Sequence, residues 1–429
     1  MTNKLIHTPE GVRDIYDMEC RQKLKVQEEI LKTLYLYGYQ HIETPSFEFF
    51  DIFNKDRGSV SSNEMFKFFD RDNNTLVLKP DMTPAIARCV AKYFDQETMP
   101  LRLCYLERTF TNNTSYQGRL KESTQTGAEM IGDDSSDADA EIIALVIDCL
   151  KSAGLEEFQV EVGQVEFYQG LMEEAGLDEG CQAQLRELIE NKNVFGVEEL
   201  LESAPIAPEL KEIFLRLPEL SGSIDQIRKA RALTHNKRAL FAIQRLEKVH
   251  EIMENYGLSE YISFDLGMLS KYQYYTGIIF KAYTYGTGDY IVTGGRYDKL
   301  LQQFGKDAPA VGFGIVADRL LMALSAQHIK LPVQKTDTLI LFDVSARVPA
   351  IQLAKKFRRA GRPVQFQRKH QTPPMEEYLQ MAVRGGMPHV VYVFGDGSWV
   401  NDYQADTGEF RLMDRRDYEN EQGLEDERT

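Results

Sequence analysis

The sequence has little of what a secreted, membrane-spanning or metal-dependent protein uses. Its 429 residues include five cysteines, Cys20, Cys89, Cys104, Cys149 and Cys181. The number is odd and no two form a CxxC pair, so a disulfide framework is not expected. Free thiols in a reducing cytoplasm are the simplest account, and a cytoplasmic location follows. The start, MTNKLIHTPEGVRDIY, has no hydrophobic signal segment. No run reaches the roughly 18 apolar residues that a membrane span needs. The seven histidines are scattered, and no Cys/His cluster has ligand spacing, so no metal site is assigned. GxSxG is absent, which leaves a Ser-His-Asp site without local support. So is the GxxxxGK[ST] phosphate loop. Basic residues are not in excess: the formal net charge is −16. That argues against broad nucleic-acid affinity, which needs cationic surface to release counterions.

What is present is an apolar content of 43% over a length sufficient for two or three domains. A helix is expected from an Asp17 cap to about Tyr37, with Leu24, Leu31, Leu34 and Tyr35 as its apolar stripe and Gly38 as its stop. His41–Pro45 follows as a short edge strand, where proline needs no amide partner. Phe66–Phe69 and Thr75–Leu78 form a hairpin, then Ala85–Phe94 a helix. Another helix begins at Asp137 and ends at Gly154. Charged amphipathic helices, broken by prolines, dominate from about Phe167 to Lys248 and mark a helical insertion. Sheet patterns resume at Tyr261. The glycines of 286–295 and Gly312-Phe313-Gly314 read as strand turns. After a linker at Leu331–Thr336, strands alternate with helices in a smaller α/β unit, and residues from about Asp414 read as a frayed, charged tail.

The stretch Pro100–Gly132 organises the remainder. A strand at Leu101–Leu106, with Leu101, Leu103 and Tyr105 on one face, passes through a polar loop and returns around Gln125–Ile131. Two such strands make a pocket floor. Gln125 and Glu129 share a face, because the side-chain period of a strand is two. Asp81 and Thr83 follow a strand end, Tyr274 and Tyr275 open a strand, and Arg296 and Arg319 follow glycines. Acidic groups with amide and hydroxyl partners suit an ammonium-bearing small molecule. Taken singly, each of these residues is as well explained by local satisfaction or exposure.

Together these stretches resemble the histidyl-tRNA synthetase family of class II aminoacyl-tRNA synthetases, over roughly Pro9–Leu324. Ile42–Pro45 with the preceding helix resembles the class II dimerisation motif. LKPDMTPAIAR (Leu78–Arg88) resembles the segment that holds the substrate amino group. LRLCYLERTF with QGRLKESTQTGAEMIG resembles the second class II motif. YYTGIIF (Tyr274–Phe280) resembles the histidine-specific tyrosine segment, and Arg319 falls at the third-motif arginine. The resemblance implies an α+β fold. Residues 1–330 form a class II synthetase-like core of antiparallel sheet flanked by helices, with the helical insertion at about 167–248. Residues 337–413 form a small α/β domain resembling a degenerate anticodon-binding domain, and 414–429 the charged tail.

The departures from that family carry the functional expectation. Where synthetases have an arginine meeting the α-phosphate of ATP, this chain has Thr111, and where they have a second arginine before the paired tyrosines it has Ser270. Neither supplies the preorganised positive charge that a phosphoryl-bearing transition state needs, and losing one such donor typically costs about 10²–10³ in rate. Arg119, Lys121 and Lys271 are the candidate substitutes. Lys121-Glu122-Ser123-Thr124 also replaces an arginine-glutamine-phenylalanine-histidine run. The amino-acid side matches better through Asp81, Thr83, Gln125, Glu129, Tyr274 and Tyr275, although Asp81 and Met82 replace a glutamate and a glycine. A damaged ATP site beside a kept amino-acid pocket resembles the regulatory subunits of ATP phosphoribosyltransferase. The resemblance implies a non-catalytic chain, without cofactor, needed by a short-form catalytic subunit in the first step of histidine biosynthesis and contributing to feedback inhibition by histidine. Implied partners are that catalytic subunit, L-histidine at the relic pocket, and a second copy of the chain within a larger hetero-oligomer; neither membrane nor tRNA is expected. The alternatives are an active histidyl-tRNA synthetase, supported by seven Lys or Arg residues and no acid between Lys355 and Lys369, and a relic-synthetase sensor with another partner.

Overall fold

The computed structural model describes residues 6–53, 60–94, 100–113, 120–202, 204–270 and 274–424. The chain divides into two compact units, Met1–Leu331 and Pro332–Thr429. The first is built on a nine-stranded sheet. Its order is Gln40–His41, Leu101–Phe110, Glu122–Ile131, Ala310–Val316, Val292–Arg296, Ile278–Tyr283, Gln159–Gln164, Ile262–Asp265 and Ser221–Gly222. The pairings are antiparallel except Gln40–His41 with Leu101–Phe110 and Gln159–Gln164 with Ile262–Asp265.

Strand alternation gives the sheet two different faces. Cys104, Ala128, Met130, Val162, Phe280 and Phe313 join a large apolar core with the long helices. The helix Ser136–Ser152 contributes most to that core, with eleven of its seventeen residues buried. Ser135 caps it by accepting from the Ala138 amide at 3.2 Å, and Gly154 beyond its end takes a φ of 89°. The opposite face carries Leu103, Tyr105 and Ile279, packed with Met82, Tyr274, Tyr275 and Tyr297.

The first long helix is Asp17–Leu36, but Asp17 does not cap it. Tyr16 holds the cap position with no side-chain bond, and Asp17 is the first helical residue. Its core-facing residues are Val26, Ile30 and Leu34, whereas Leu24 and Tyr35 are 60% and 50% exposed. The expected stripe is therefore split between the core and the surface. The edge strand is shorter than expected, and the hairpin joins a separate three-stranded sheet ordered Phe47–Phe49, Thr75–Leu78, Lys67–Phe69. The helical insertion comprises Val165–Ala175, Glu179–Glu190, Val194–Glu202, Pro208–Arg216, Ile224–Ala230 and Lys237–Tyr256.

Two expectations are corrected here. Gly294, Gly295, Gly312 and Gly314 lie within strands and not in turns; their purpose is space, as the pocket shows. The segment from Asp414 to Leu424 is not frayed. It closes the strand Phe410–Asp414 and continues as the helix Arg415–Glu421, where Tyr418 and, beyond it, Leu424 are buried in the second unit's core. That unit has the strand order Val364–Arg368, Thr338–Phe342, His389–Phe394, Trp399–Gln404, Phe410–Asp414, parallel for the first two pairings and antiparallel for the last two. Within the basic run Lys355–Lys369, Lys356 pairs with Glu419 at 2.7 Å and Arg362 packs on Phe357.

Asp139, with a side-chain exposure of 0%, ties three elements of the first unit. Its Oδ1 accepts from Arg296 Nε at 2.8 Å and its Oδ2 from Arg245 Nε at 2.7 Å. Removing one partner of a buried ion pair strands the other charges in low dielectric. Asp139→Ala is expected to lower unfolding stability by about 3–5 kcal/mol, measured by urea denaturation. A loss within about 0.5 kcal/mol, typical of surface substitutions, would show that water reaches the guanidinium groups.

Candidate functional site

The pocket floor is the middle of the sheet. Cross-strand register puts Leu103, Glu129, Gly312, Gly295, Ile279 and Gly163 in one row on one face. Three glycines in that row clear a trough. A Cβ on Gly312 would lie 1.6 Å from Glu129 Oε2, one on Gly295 would lie 2.9 Å from the Tyr275 ring, and one on Gly163 would lie 2.8 Å from Met268 Cβ. Real Cβ atoms do not approach so closely, so side chains from neighbouring strands and loops occupy the space the glycines leave.

Into the trough projects Glu129, 1% exposed. Its Oε1 accepts from Thr83 Oγ1 at 2.8 Å and its Oε2 from Tyr297 OH at 2.5 Å. Thr83 opens the helix Thr83–Tyr93, which fixes its hydroxyl over the floor. Tyr274 OH donates to Asp81 Oδ2 at 3.0 Å, and Asp81 Oδ1 accepts from the Met82 amide at 2.8 Å. The rings of Tyr274 and Tyr275 meet edge to face with centroids 4.9 Å apart. Gln125 lies four residues from Glu129 on the same strand, and its buried Oε1 has no hydrogen-bond partner among the described residues. The six residues singled out in the sequence thus gather at one face, with two carboxylates, an amide oxygen and three hydroxyls.

Two further observations refine the expectation. The paired tyrosines precede the strand Ile278–Tyr283 and do not open it. Tyr297 was not singled out, although it follows a glycine-rich strand into the pocket. Arg296, its neighbour, is committed to Asp139 and not to the pocket.

The electrostatics follow from burial. Desolvation raises the Glu129 carboxyl to about 8, against the lowering effect of the Tyr297 and Thr83 hydrogen bonds, with the nearby Asp81 charge adding to the rise. Acceptors outnumber fixed positive charge in this pocket. The chemistry it offers is to a group that donates hydrogen bonds and carries positive charge.

At the positions where the resemblance sets the ATP phosphates, Arg319 and Arg108 are engaged among the described residues. Thr111 and Ser270 hold the two positions that lack arginine. Arg319 donates to the Tyr290 carbonyl at 2.7 Å, pairs with Asp289 at 2.9 Å and lies over the Tyr290 ring at 4.8 Å. Glu122 pairs with Arg108 at 2.7 Å. The Lys121 side chain packs against Gly11. Arg119 and Lys271, the other candidate substitutes, lie outside the described residues.

A family model described as histidyl-tRNA synthetase matches residues 11–320. The ATP phosphoribosyltransferase regulatory subunit of Acetivibrio thermocellus is 42% identical over 356 residues, 83% of this chain and 85% of the relative. The chain belongs to the ATP phosphoribosyltransferase regulatory subunit family. A member of that family from Ruminiclostridium cellulolyticum is also 42% identical, over 359 residues, 84% of this chain and 86% of that one. A crystal structure of an ATP phosphoribosyltransferase regulatory subunit/histidyl-tRNA synthetase from Bacillus halodurans is similar at 34% identity and a TM-score of 0.83, covering 91% of this chain and 99% of that chain. The histidyl-tRNA synthetase of Nostoc sp. PCC 7120, at 20% identity and a TM-score of 0.78, covers 97% of this chain and 98% of its own and shares the fold with this regulatory-subunit family member. No helix among the described residues is long and apolar enough to cross a membrane.

The raised Glu129 carboxyl sets a pH dependence. Its folded-state value lies above the unfolded one, so its contribution to stability is complete below about 4.5 and is lost as pH rises through about 8. Thermal melts of the ligand-free protein are expected to fall across this window, and Glu129→Gln is expected to flatten that fall. An identical slope in the variant would mean that Glu129 titrates as an ordinary carboxylate.

Proposed function

We propose that this chain is a regulatory subunit without catalysis of its own, which activates a short-form ATP phosphoribosyltransferase catalytic subunit and confers inhibition by L-histidine. The observation that carries the reading is the contrast within one site. The amino-acid side keeps its carboxylates, amide and tyrosines, while the phosphate side has Thr111, Ser270 and an Arg319 engaged by Asp289 and Tyr290. Adenylation needs preorganised cations at the phosphates, and an engaged arginine must first break its pairing to serve.

Histidine is the proposed ligand of the relic pocket. Its ammonium group donates toward Asp81 and the buried Gln125 Oε1, and its ring lies against Tyr274, Tyr275 and Glu129. A homodimer within the larger assembly is supported by the apolar surface on Asp17–Leu36, where Leu24, Tyr35 and Leu36 are exposed beside a sheet edge. Linkage requires that inhibitory histidine bind the less active assembly more tightly.

The test is phosphoribosyl-ATP formation by a short-form catalytic subunit from the same source, with and without this chain, then with histidine. Activity that requires both proteins and falls with histidine is expected; activity indifferent to this chain would overturn the role. Calorimetry should show histidine binding that Glu129→Ala or Tyr275→Phe weakens by roughly tenfold or more. Gly312→Ala should weaken it as well, because the added Cβ displaces the Glu129 carboxylate. Unchanged affinity in all three variants would place histidine elsewhere.

A further inference from the structure

We propose that the cavity between the helical insertion and the sheet is a second ligand site, taking a small organic carboxylate whose carboxylate group sits between Arg186 and Tyr168. The cavity measures about 660 Å³, within the ~300–1,000 Å³ usual for small-molecule sites. Val165–Ala175 contributes Tyr168 and Met172, Glu179–Glu190 contributes Arg186, and Met268 and Tyr275 close the sheet side. It lies beside the amino-acid pocket, with Tyr275 common to both.

Tyr168 supplies the first observation. The residue is 6% exposed, its ring packs edge to face on Phe214, and its buried hydroxyl has no hydrogen-bond partner among the described residues. A buried phenol left without an acceptor is costly, and native structures rarely tolerate one unless something outside the chain supplies the partner. Burial pushes this phenol up to about 12, with Arg186 acting the other way. The hydroxyl therefore remains a donor throughout the neutral range.

Arg186 supplies the second. Its Nη2 donates to the Ser270 carbonyl and its Nε to Glu190 Oε1 at 3.2 Å. These bonds anchor the guanidinium at two of its three nitrogens, while Nη1 makes no hydrogen bond among the described residues. The other arginine of the cavity differs. Arg238 is engaged by Glu166, by Glu173 at 3.1 Å and by Gln169. One anchored guanidinium with donor capacity left over, beside an unpartnered phenol, is a donor pair for a carboxylate. Met172, Met268 and Leu269 line one part of the remainder, which suits an apolar or aromatic body attached to that carboxylate, while Gln169, Glu173, Glu179 and Gln182 line another, with Glu173 held by Arg238. Ser270 stands where related synthetases carry an arginine, so in this chain the positive charge beside that position comes from the insertion.

The probe is imidazole-4-acetate, which has a ring and a carboxylate but lacks the ammonium group that Asp81 and Gln125 would receive. Calorimetry on the full chain should show saturable binding at one site. Arg186→Met and Tyr168→Phe should each weaken it roughly tenfold or more, while Asp81→Asn leaves it unchanged. Tyr168→Phe should also leave the thermal midpoint of the unliganded protein unchanged or higher, since it removes an unsatisfied hydroxyl; a purely structural role predicts a drop. Absence of binding at concentrations where histidine binds would overturn the proposal, as would binding lost in Asp81→Asn but kept in Arg186→Met. Histidine binding that fails while the probe still binds would count against the relic pocket alone.

Discussion

Asp139 and the two guanidinium groups around it hold the first unit in register. The carboxylate sits on the helix Ser136–Ser152, Arg245 on the last helix of the insertion and Arg296 at the end of a central strand. Arg296 also donates to the Asp133 carbonyl at 2.9 Å and to Asp298 at 3.1 Å. A buried ionic cluster of this kind adds little net stability over an apolar replacement, but it discriminates strongly among alternative packings, because any misfit leaves a charge unpaired in low dielectric. Its consequence reaches the pocket through one peptide bond. Tyr297 follows Arg296 directly, so fixing the arginine fixes the hydroxyl that meets Glu129. The insertion, the sheet and the pocket thus share one electrostatic reference point.

The functional contrast is a question of where positive charge remains available. Adenylate chemistry and amino-acid binding use neighbouring parts of one fold but have opposite demands. The first needs cations preorganised for phosphate, the second needs acceptors preorganised for ammonium. In this chain the acceptors persist, and the arginine at the third-motif position is held by an aspartate, a carbonyl and an aromatic face. A different balance of acceptors and cations within one site requires no new fold.

Much of this organisation was legible in the sequence. Period-two patterning in Leu101–Leu106 and Gln125–Ile131 placed both strands of the floor and set Gln125 and Glu129 on one side of it. Prolines and charged helical periodicity marked the insertion. Other features were hidden because they depend on contacts distant in the chain. The division of the first helix between Val26, Ile30 and Leu34 inside and Leu24 and Tyr35 outside depends on tertiary packing, which local periodicity does not encode. Glycine read as a turn former in Gly312-Phe313-Gly314, whereas its role there is to yield volume to Glu129 across the strand. Tyr168 and Arg186 carry no motif and become meaningful only when the fold brings their partners near. The charged composition of the last residues concealed Tyr418 and Leu424, which anchor the final helix.

The row of Gly163, Gly295 and Gly312 has an evolutionary consequence. In most pockets a lining side chain can be trimmed or extended, so the cavity adjusts in either direction by single substitutions. Here the floor carries no side chain of its own at three positions, where Glu129, Tyr275 and Met268 take the space, and no residue is smaller than glycine. Every change at those sites subtracts space, and none can add it. The depth of the trough is therefore at its ceiling. A lineage that kept these glycines could reshape the trough only through the side chains that lie over the floor and form its walls, such as Glu129, Asp81 and Tyr275.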